Sequence, residues 1–361
     1  MERKAPTPIQ LCFITLSIFV MAIAAFGKSM GPKLLFRQDL HPLGFPDRAL
    51  ASNMANYTDS VFLSNDLVLV AVNFREFASV SPLFADEPPA RFLLFDLSQG
   101  KLIRSTHLRA EKAQGSVRST QDGQFALLDE EGVRLCSSDL TCGQPFSSRG
   151  PLFASPGGTK LIVGGNVRSE QKLLDSATLK ELDSSHWPDG SVIPGDEGLL
   201  LRYIRPKAEL HLRLPGKPEY PLEFGGGGIW PSAPFLSNKI VADFSSRSVL
   251  VAKLDGEVLY RLTVKIPWDA DLVTAASGSR FCIHEIGYTR WNSFLNFGYV
   301  EGTPPSIEDV RVMDTESGKL LFQLKWDPRP YGYPLVIPAL SPNANRIAIV
   351  RGGYVEVYEI P

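Results

Sequence analysis

The chain has 361 residues, 44% of them hydrophobic, with 30 glycines and 28 prolines, enough for two ordinary domains or one large all-β domain. Its 37 basic and 39 acidic residues leave a formal charge of -2 with no run of five like charges, which excludes a nucleic-acid footprint or a charged tail as an organising feature. Dense Gly and Pro punctuation fits many short strands and tight turns better than long helices.

The N-terminus carries the strongest local signal. Arg3 and Lys4 form a basic region, no charge occurs from Ile9 to Phe26, and Ala22-Ile23-Ala24 or Ala25-Phe26-Gly27 supplies a small-residue cleavage site. This pattern predicts a secretory signal peptide over residues 1–24 and a periplasmic or extracellular mature chain. The alternative is an uncleaved anchor, because the apolar stretch reaches the lower limit of a spanning helix. Cys12 follows Gln10 and Leu11, not the small residues of a lipidation site. Cleavage after Ala24 removes Glu2, Arg3 and Lys4, one acid and two bases, and takes the charge from -2 to -3.

Beyond residue 30 helical periodicity is nearly absent; the best candidate is a short stretch near Leu108 to Gln114. Lys33 to Leu40 reads as a lone strand. Short apolar runs then recur at Leu67–Val72, Phe92–Phe95, Leu161–Val163, Leu199–Leu201, Val249–Val251 and Ile347–Val350, each bounded by turn residues.

Two elements repeat. One is a hairpin in which an apolar strand ends in Asp, a Ser/Thr-Gly turn follows, and a second apolar strand returns. It occurs at Phe92–Ile103 and Val310–Leu321, with a tighter turn at Val249–Leu259 and a weaker copy, lacking Gly, at Lys172–Leu182. Asp caps such a turn and Gly supplies its positive φ. The other element is a turn, a basic residue and an inner strand: Leu340–Ile349, Ala154–Val163 and Ser119–Leu128, with worn versions at Ser277–Ile283 and Leu63–Val68.

Joined, the two elements make a four-stranded unit. Units fall near 58–109, 115–148, 149–184, 185–222, 228–264, 268–326 and 328–361, about 43 residues each, inside the ~40–45 of a propeller blade. The sixth is overlong near Gly287 to Ile307, and the last supplies three strands, ending at Tyr354–Ile360. Residues 33–40 have the composition of its missing outer strand. The expectation is therefore an all-β, seven-bladed β-propeller over residues 33–361, closed by pairing the N-terminal strand with the C-terminal blade.

The Ser-Pro-(Asn/Gly)-x-x-(Arg/Lys) turn and the Asp-x-x-Ser-Gly-Lys hairpin resemble bacterial WD-like and YVTN-like propeller repeats. Asn343 and Ala344 stand where that pattern has Asp and Gly, Gly157-Gly158 departs similarly, and no Gly-His…Trp-Asp pair occurs. The resemblance implies a propeller and no particular activity.

Chemistry-bearing motifs are sparse. His41, His107, His186, His211 and His284 stand at no metal-ligand spacing, and His284-Glu285 is not followed by the second His of a zinc helix. Neither Asp269-Ala270-Asp271 nor the carboxylates at Asp122, Asp129, Glu130 and Glu131 match a calcium loop. Gly225–Gly228 reads as a connection between units, and Gly-x-Ser-x-Gly is absent. Asn56-Tyr57-Thr58 is a formal glycosylation sequon. Cys136 and Cys142 either bridge a hairpin turn or remain two thiols, while Cys282 reads as a buried small hydrophobe. No metal or cofactor is implied.

Aromatic residues give the one site expectation. Trp187, Trp230 and Trp268 lie beside Pro near unit boundaries, and Arg329, Tyr331 and Tyr333 crowd the last inter-unit segment. Trp291 and Trp326 fall in two further segments. Either these aromatic residues converge on one face to stack on a glycan, another small molecule or a protein partner, or they wedge between blades as packing. The expected function is a monomeric, exported, non-catalytic binding or protein-interaction module. The alternatives are a hydrolase or oxidoreductase with residues from several blades around the central channel, and an envelope protein held by its N-terminal helix.

Overall fold

A computed structural model describes residues 32–43, 58–72, 90–109, 116–148, 150–164, 170–185, 190–198, 200–204, 209–214, 216–222, 235–236, 239–244, 248–263, 270–287, 307–327 and 338–361. Strand β1 (Lys33–Asp39) comes first. The first blade holds β2 (Thr58–Phe62), β3 (Leu67–Val72), β4 (Arg91–Asp96) and β5 (Lys101–His107). A three-stranded sheet follows: β6 (Val117–Ser119), β7 (Phe125–Leu128) and β8 (Val133–Cys136). The second blade is β9 (Leu152–Ala154), β10 (Lys160–Val163), β11 (Gln171–Asp175) and β12 (Glu181–Ser185). The third is β13 (Gly190–Pro194), β14 (Leu200–Ile204), β15 (Glu209–Arg213) and β16 (Tyr220–Leu222). The fourth is β17 (Phe235–Leu236), β18 (Lys239–Phe244), β19 (Ser248–Lys253) and β20 (Val258–Thr263). The fifth is β21 (Ala270–Thr274), β22 (Arg280–Gly287), β23 (Ile307–Asp314) and β24 (Leu320–Trp326). The closing blade is β25 (Ala339–Leu340), β26 (Arg346–Arg351) and β27 (Tyr354–Glu359), with β1 added outside β27.

The propeller therefore has six four-stranded blades, not the seven expected. The unit expected at 115–148 yields only a three-stranded sheet because the segment after β8 cannot hold a ladder. Two isolated bridges, Cys136↔Cys142 and Val133↔Phe146, occupy the place of a fourth strand. One extra residue sits on the outer side, and Pro145 within it has no N–H to donate. A disulfide joins Cys136 to Cys142 at that edge.

Middle strands are apolar on both faces because a neighbouring sheet covers each face. β3 (Leu-Val-Leu-Val-Ala-Val) and β4 are buried almost throughout, whereas the outer strand β5 is mostly exposed. Leu69, Phe92 and Leu94 pack on Phe125 and Leu127, with the Phe92 and Phe125 rings stacked at 6.2 Å. The same interlock recurs around the circle. Leu128 and Val133 meet Leu161 and Leu174, Ile162 meets Val192 and Leu200, and Leu201 and Leu212 meet Phe235 and Leu250. Val249 and Val251 meet Phe281 and Ile283. Val310 and Phe322 meet Ile347 and Tyr358, and Val355 and Val357 meet Val68 and Val70. Each fully buried aliphatic or aromatic side chain contributes about 1.5–3 kcal/mol of transfer free energy.

Outer strands add polar hooks between neighbours. Tyr220 Oη donates to the Leu254 carbonyl at 2.8 Å, and Tyr260 Oη to the Thr315 carbonyl at 2.7 Å. In each case a fourth strand grips the next blade's hairpin turn. Ring closure uses β1: the Arg37 guanidinium lies 4.1 Å over the Tyr354 ring and 3.4 Å from Glu356, and Phe36 tilts against Phe95 at 5.8 Å.

The repeated hairpin is a cap. Asp96 Oδ1 accepts the N–H groups of Ser98 and Gln99 at 2.9 and 3.1 Å. Asp314 accepts from Ser317 N–H at 2.8 Å and Asp175 from Thr178 N–H at 3.1 Å. Gly100 and Gly318 hold φ near +64°; in the copy without Gly, Leu179 takes φ +54°. The overlong fifth blade breaks between Gly287 and Ile307, so its excess, residues 288–306, lies outside the described residues, as does most of the stretch from Leu108 to Gln114.

Candidate binding site at the channel mouth

First strands line the axis: β2 touches β6 and β25, β6 touches β9, β9 touches β13, and β21 touches β25. Where the connection is described, the first strand enters the second through a short turn, so these turns gather around one end of the channel. In three copies the turn begins with a serine hydroxyl that caps it. Ser64 Oγ accepts from Asp66 and Leu67 N–H, both at 3.2 Å. Ser155 Oγ accepts from Thr159 and Lys160 N–H at 3.0 and 3.1 Å, and Ser341 Oγ from Arg346 N–H at 3.0 Å.

In two copies the basic residue that closes the motif points sideways into the next blade, whereas Lys160 lies 3.5 Å from Asp175 of its own blade. Arg280 Nη1 donates to the carbonyls of Ala344 and Ile360 at 3.0 and 3.2 Å. Arg346 Nη1 donates to the Asn65 carbonyl at 2.6 Å and to Asp66 Oδ1 at 2.5 Å. Turns also bond directly to one another. Ser277 N–H donates to the Pro342 carbonyl at 3.0 Å, and Asn343 N–H to Asn65 Oδ1 at 3.0 Å. Asp196 accepts from Ser155 Oγ, Gly157 N–H and Thr159 Oγ1 at 2.6, 2.8 and 2.7 Å. Gly158 must be glycine, because a Cβ there would stand 2.9 Å from the Thr120 backbone at φ +67°.

A cavity of about 480 Å³ opens among these turns. Its walls are Leu63, Ser64 and Asn65 of the first blade, Ser119 to Gly123 of the three-stranded sheet, Pro156, Gly157 and Gly158 of the second blade, Ala276 and Pro342. Among the described lining residues there is no aromatic ring and no base, and Asp122 carries the one charge. Thr120 is buried and its Oγ1 finds no hydrogen-bond partner. Asp122 holds φ +59° at an exposed turn tip. Below the mouth, Asp59 on β2 is buried 3.6 Å from Arg118 on β6 and accepts Ser60 N–H at 2.9 Å.

A second polar constellation sits where β22 ends and β23 begins. His284 Nε2 lies 3.1 Å from Glu308 Oε2 on one face of the fifth blade. On the other face Glu285 pairs with Arg311, while Asp309 accepts from Gln323 Nε2 at 2.8 Å and lies 3.4 Å from Lys325. Burial pushes the Arg311 guanidinium below its ordinary value. His284 is 1% exposed and Glu308 is fully buried, so the pair is enclosed within the fifth blade.

Of the residues expected to form the site, Trp187, Trp230, Trp268, Arg329, Tyr331 and Tyr333 lie outside the described residues. Trp326, also weighed as packing, is described: it packs between the fifth and closing blades, with the Arg351 guanidinium 5.3 Å over its ring. His41 Nδ1 lies 2.6 Å from Asp39, and His211 Nδ1 3.0 Å from Glu219. Among the described residues no three candidate ligands cluster for a metal, and no helix is long and apolar enough to cross a membrane. Sequence reasoning missed the cavity. Its only signal was the repeated turn itself, polar at every copy. No family model matches the chain, and no curated protein is detectably similar to it.

Proposed function

We propose that the chain is an exported, non-catalytic binding module that takes its ligand at the turn-lined mouth of the channel. The observation that carries this reading is the cavity of about 480 Å³ whose walls come from five separate turns, the size and position of a small-ligand or side-chain site. Export is supported by the apolar N-terminal stretch with its Ala22-Ile23-Ala24 site and by the Cys136–Cys142 disulfide, which persists in oxidising compartments. The Ser-Pro-x-x-x-basic turns fit a WD-like or YVTN-like repeat, and the protein acts as a monomer.

Gln121 lines the cavity and is exposed. Gln121→Trp therefore fills the mouth without touching the core. A ligand found by thermal-shift screening of the mature protein is expected to lose binding to this variant. Unchanged affinity overturns the site. Mass spectrometry of secreted material is expected to place the mature N-terminus at Ala25; an intact Met1 overturns cleavage.

A further inference from the structure

We infer that the outer rim formed by β5 and its neighbour β1 is a docking surface for an anionic lipid membrane. β5 carries Lys101 and Arg104, Arg109 follows two residues after it, and no acid interrupts this run. All three bases are exposed and make no hydrogen bond or ion pair among the described residues. The other described outer strands differ. Arg37 of β1 pairs with Glu356, and Lys325 of β24 with Asp309. Lys33 and Arg261 are engaged as well, and β12 and β16 hold no Lys or Arg. Acids close to β5 are already held by their own turns. Asp96 accepts from the Ser98 and Gln99 N–H groups. Asp139, whose carboxyl feels the Arg104 charge, accepts from Ser137 and Thr141.

Apolar side chains gather at the same edge. Six large apolar residues are exposed among the described residues, and three of them, Leu34, Leu35 and Ile103, lie on β1 and β5. The two strands are neighbours: Phe36 of β1 meets the Phe95 ring at 5.8 Å, and Leu102 of β5 packs against the same cluster. A soluble polyanion would use the bases and leave these apolar groups in water. A neutral apolar partner would leave the bases unmatched. A bilayer with anionic head groups uses both, through attraction to the head groups and burial of apolar area at the acyl boundary. The chain as a whole carries a formal charge of -2, so such a surface attracts it at this edge and not generally. First strands line the axis, so lipid contact at the rim does not use the channel mouth.

Co-sedimentation of the mature protein with phosphatidylcholine vesicles, made with and without phosphatidylglycerol, tests this. Binding is expected only with phosphatidylglycerol and should weaken with added salt. Lys101→Gln and Arg104→Gln should each lower the partition coefficient about fivefold, the effect of one basic side chain at such a surface. Neither base is bonded, so the melting temperature should stay unchanged. Ile103→Ser should lower partitioning as well, whereas Lys319→Gln, which removes an exposed base beside β24, should leave it unaltered. Absence of phosphatidylglycerol-dependent binding, or equal binding of wild type and the Lys101→Gln/Arg104→Gln double variant, overturns the assignment. Release by soluble polyglutamate together with unchanged binding of Ile103→Ser also overturns it, and marks the edge as a site for an acidic protein segment.

Discussion

The backbone N–H of Leu40 donates to the carbonyl of Gly353 at 2.8 Å, joining the first described segment to the last hairpin of the chain. Gly353 sits at φ +78°, and a Cβ there would stand 2.3 Å from the His41 ring. Gly353→Ala is expected to destabilise the ring by about 2–3 kcal/mol, from the left-handed conformation and the overlap. His41→Ala in the same background should recover part of that loss. Urea unfolding of the two variants and of the double variant separates conformational strain from contact; equal midpoints for Gly353→Ala and wild type would show that the closing hairpin tolerates a side chain.

The Cys136–Cys142 bond stands where a fourth strand is missing. Loop-closure entropy for so short a loop gives about 2 kcal/mol. Cys142→Ser should lower stability by that amount, and reductant should lower the wild-type midpoint to that of the variant. No shift on reduction would mean that the Val133–Phe146 bridge alone holds the edge.

How far the chain could be read depends on how local each device is. The Asp-capped hairpins and Ser-capped turns were legible because each uses hydrogen bonds within five residues, as from Ser317 N–H to Asp314 and from Arg346 N–H to Ser341. The pairing of β1 with β27 was legible from an orphan strand at one end and a missing one at the other. The blade count was misread because Ser137 to Ser148 has the length of a return strand; one extra residue and Pro145 stop it from forming one. The cavity was illegible because Asn65, Asp122 and Pro342 are remote in sequence and each is an ordinary turn residue. Only the circle makes them neighbours. The buried Glu308 and Glu285 were likewise hidden, since nothing in an alternating strand marks which carboxylate meets its partner across the ladder.

Tyr260 tests the inter-blade hooks. Burial, with Asp314 and Glu316 nearby, raises its phenol well above the ordinary value, so it stays a donor to the Thr315 carbonyl over the working pH range. Tyr260→Phe removes one hydrogen bond and leaves a carbonyl short of a partner, and is expected to cost about 1–2 kcal/mol in chemical denaturation. A variant as stable as wild type would reduce the hook to ring packing alone.

Glu197 holds φ +59° at an exposed tip. Glycine adopts that conformation without penalty, so Glu197→Gly should raise stability by about 1 kcal/mol after its greater unfolded-state entropy is counted. A lower urea midpoint would show that the Glu197 side chain makes a stabilising contact.

The turn aspartates set the acid limit of the fold. Side-chain hydrogen bonds hold three carboxyls below the ordinary 3.8: from Ser98 to Asp96, from Thr178 to Asp175, and from Ser317 to Asp314. Bonds from Ser137 and then Thr141 lower Asp139 to about 2. A carboxyl whose folded value lies below its unfolded value stabilises the fold fully above the unfolded value. That contribution drains away as pH falls through the folded value. For Asp139 the window runs from 3.8 down to about 2, and the other three turns lose theirs below 3.8 as well. Asp314→Asn removes the charge from one turn and keeps its shape. At neutral pH the variant should unfold at lower urea than wild type, and the gap should close as pH is lowered through this window. A gap that stays constant with pH would mean that the Asp314 turn is held by its backbone bonds and not by the carboxylate.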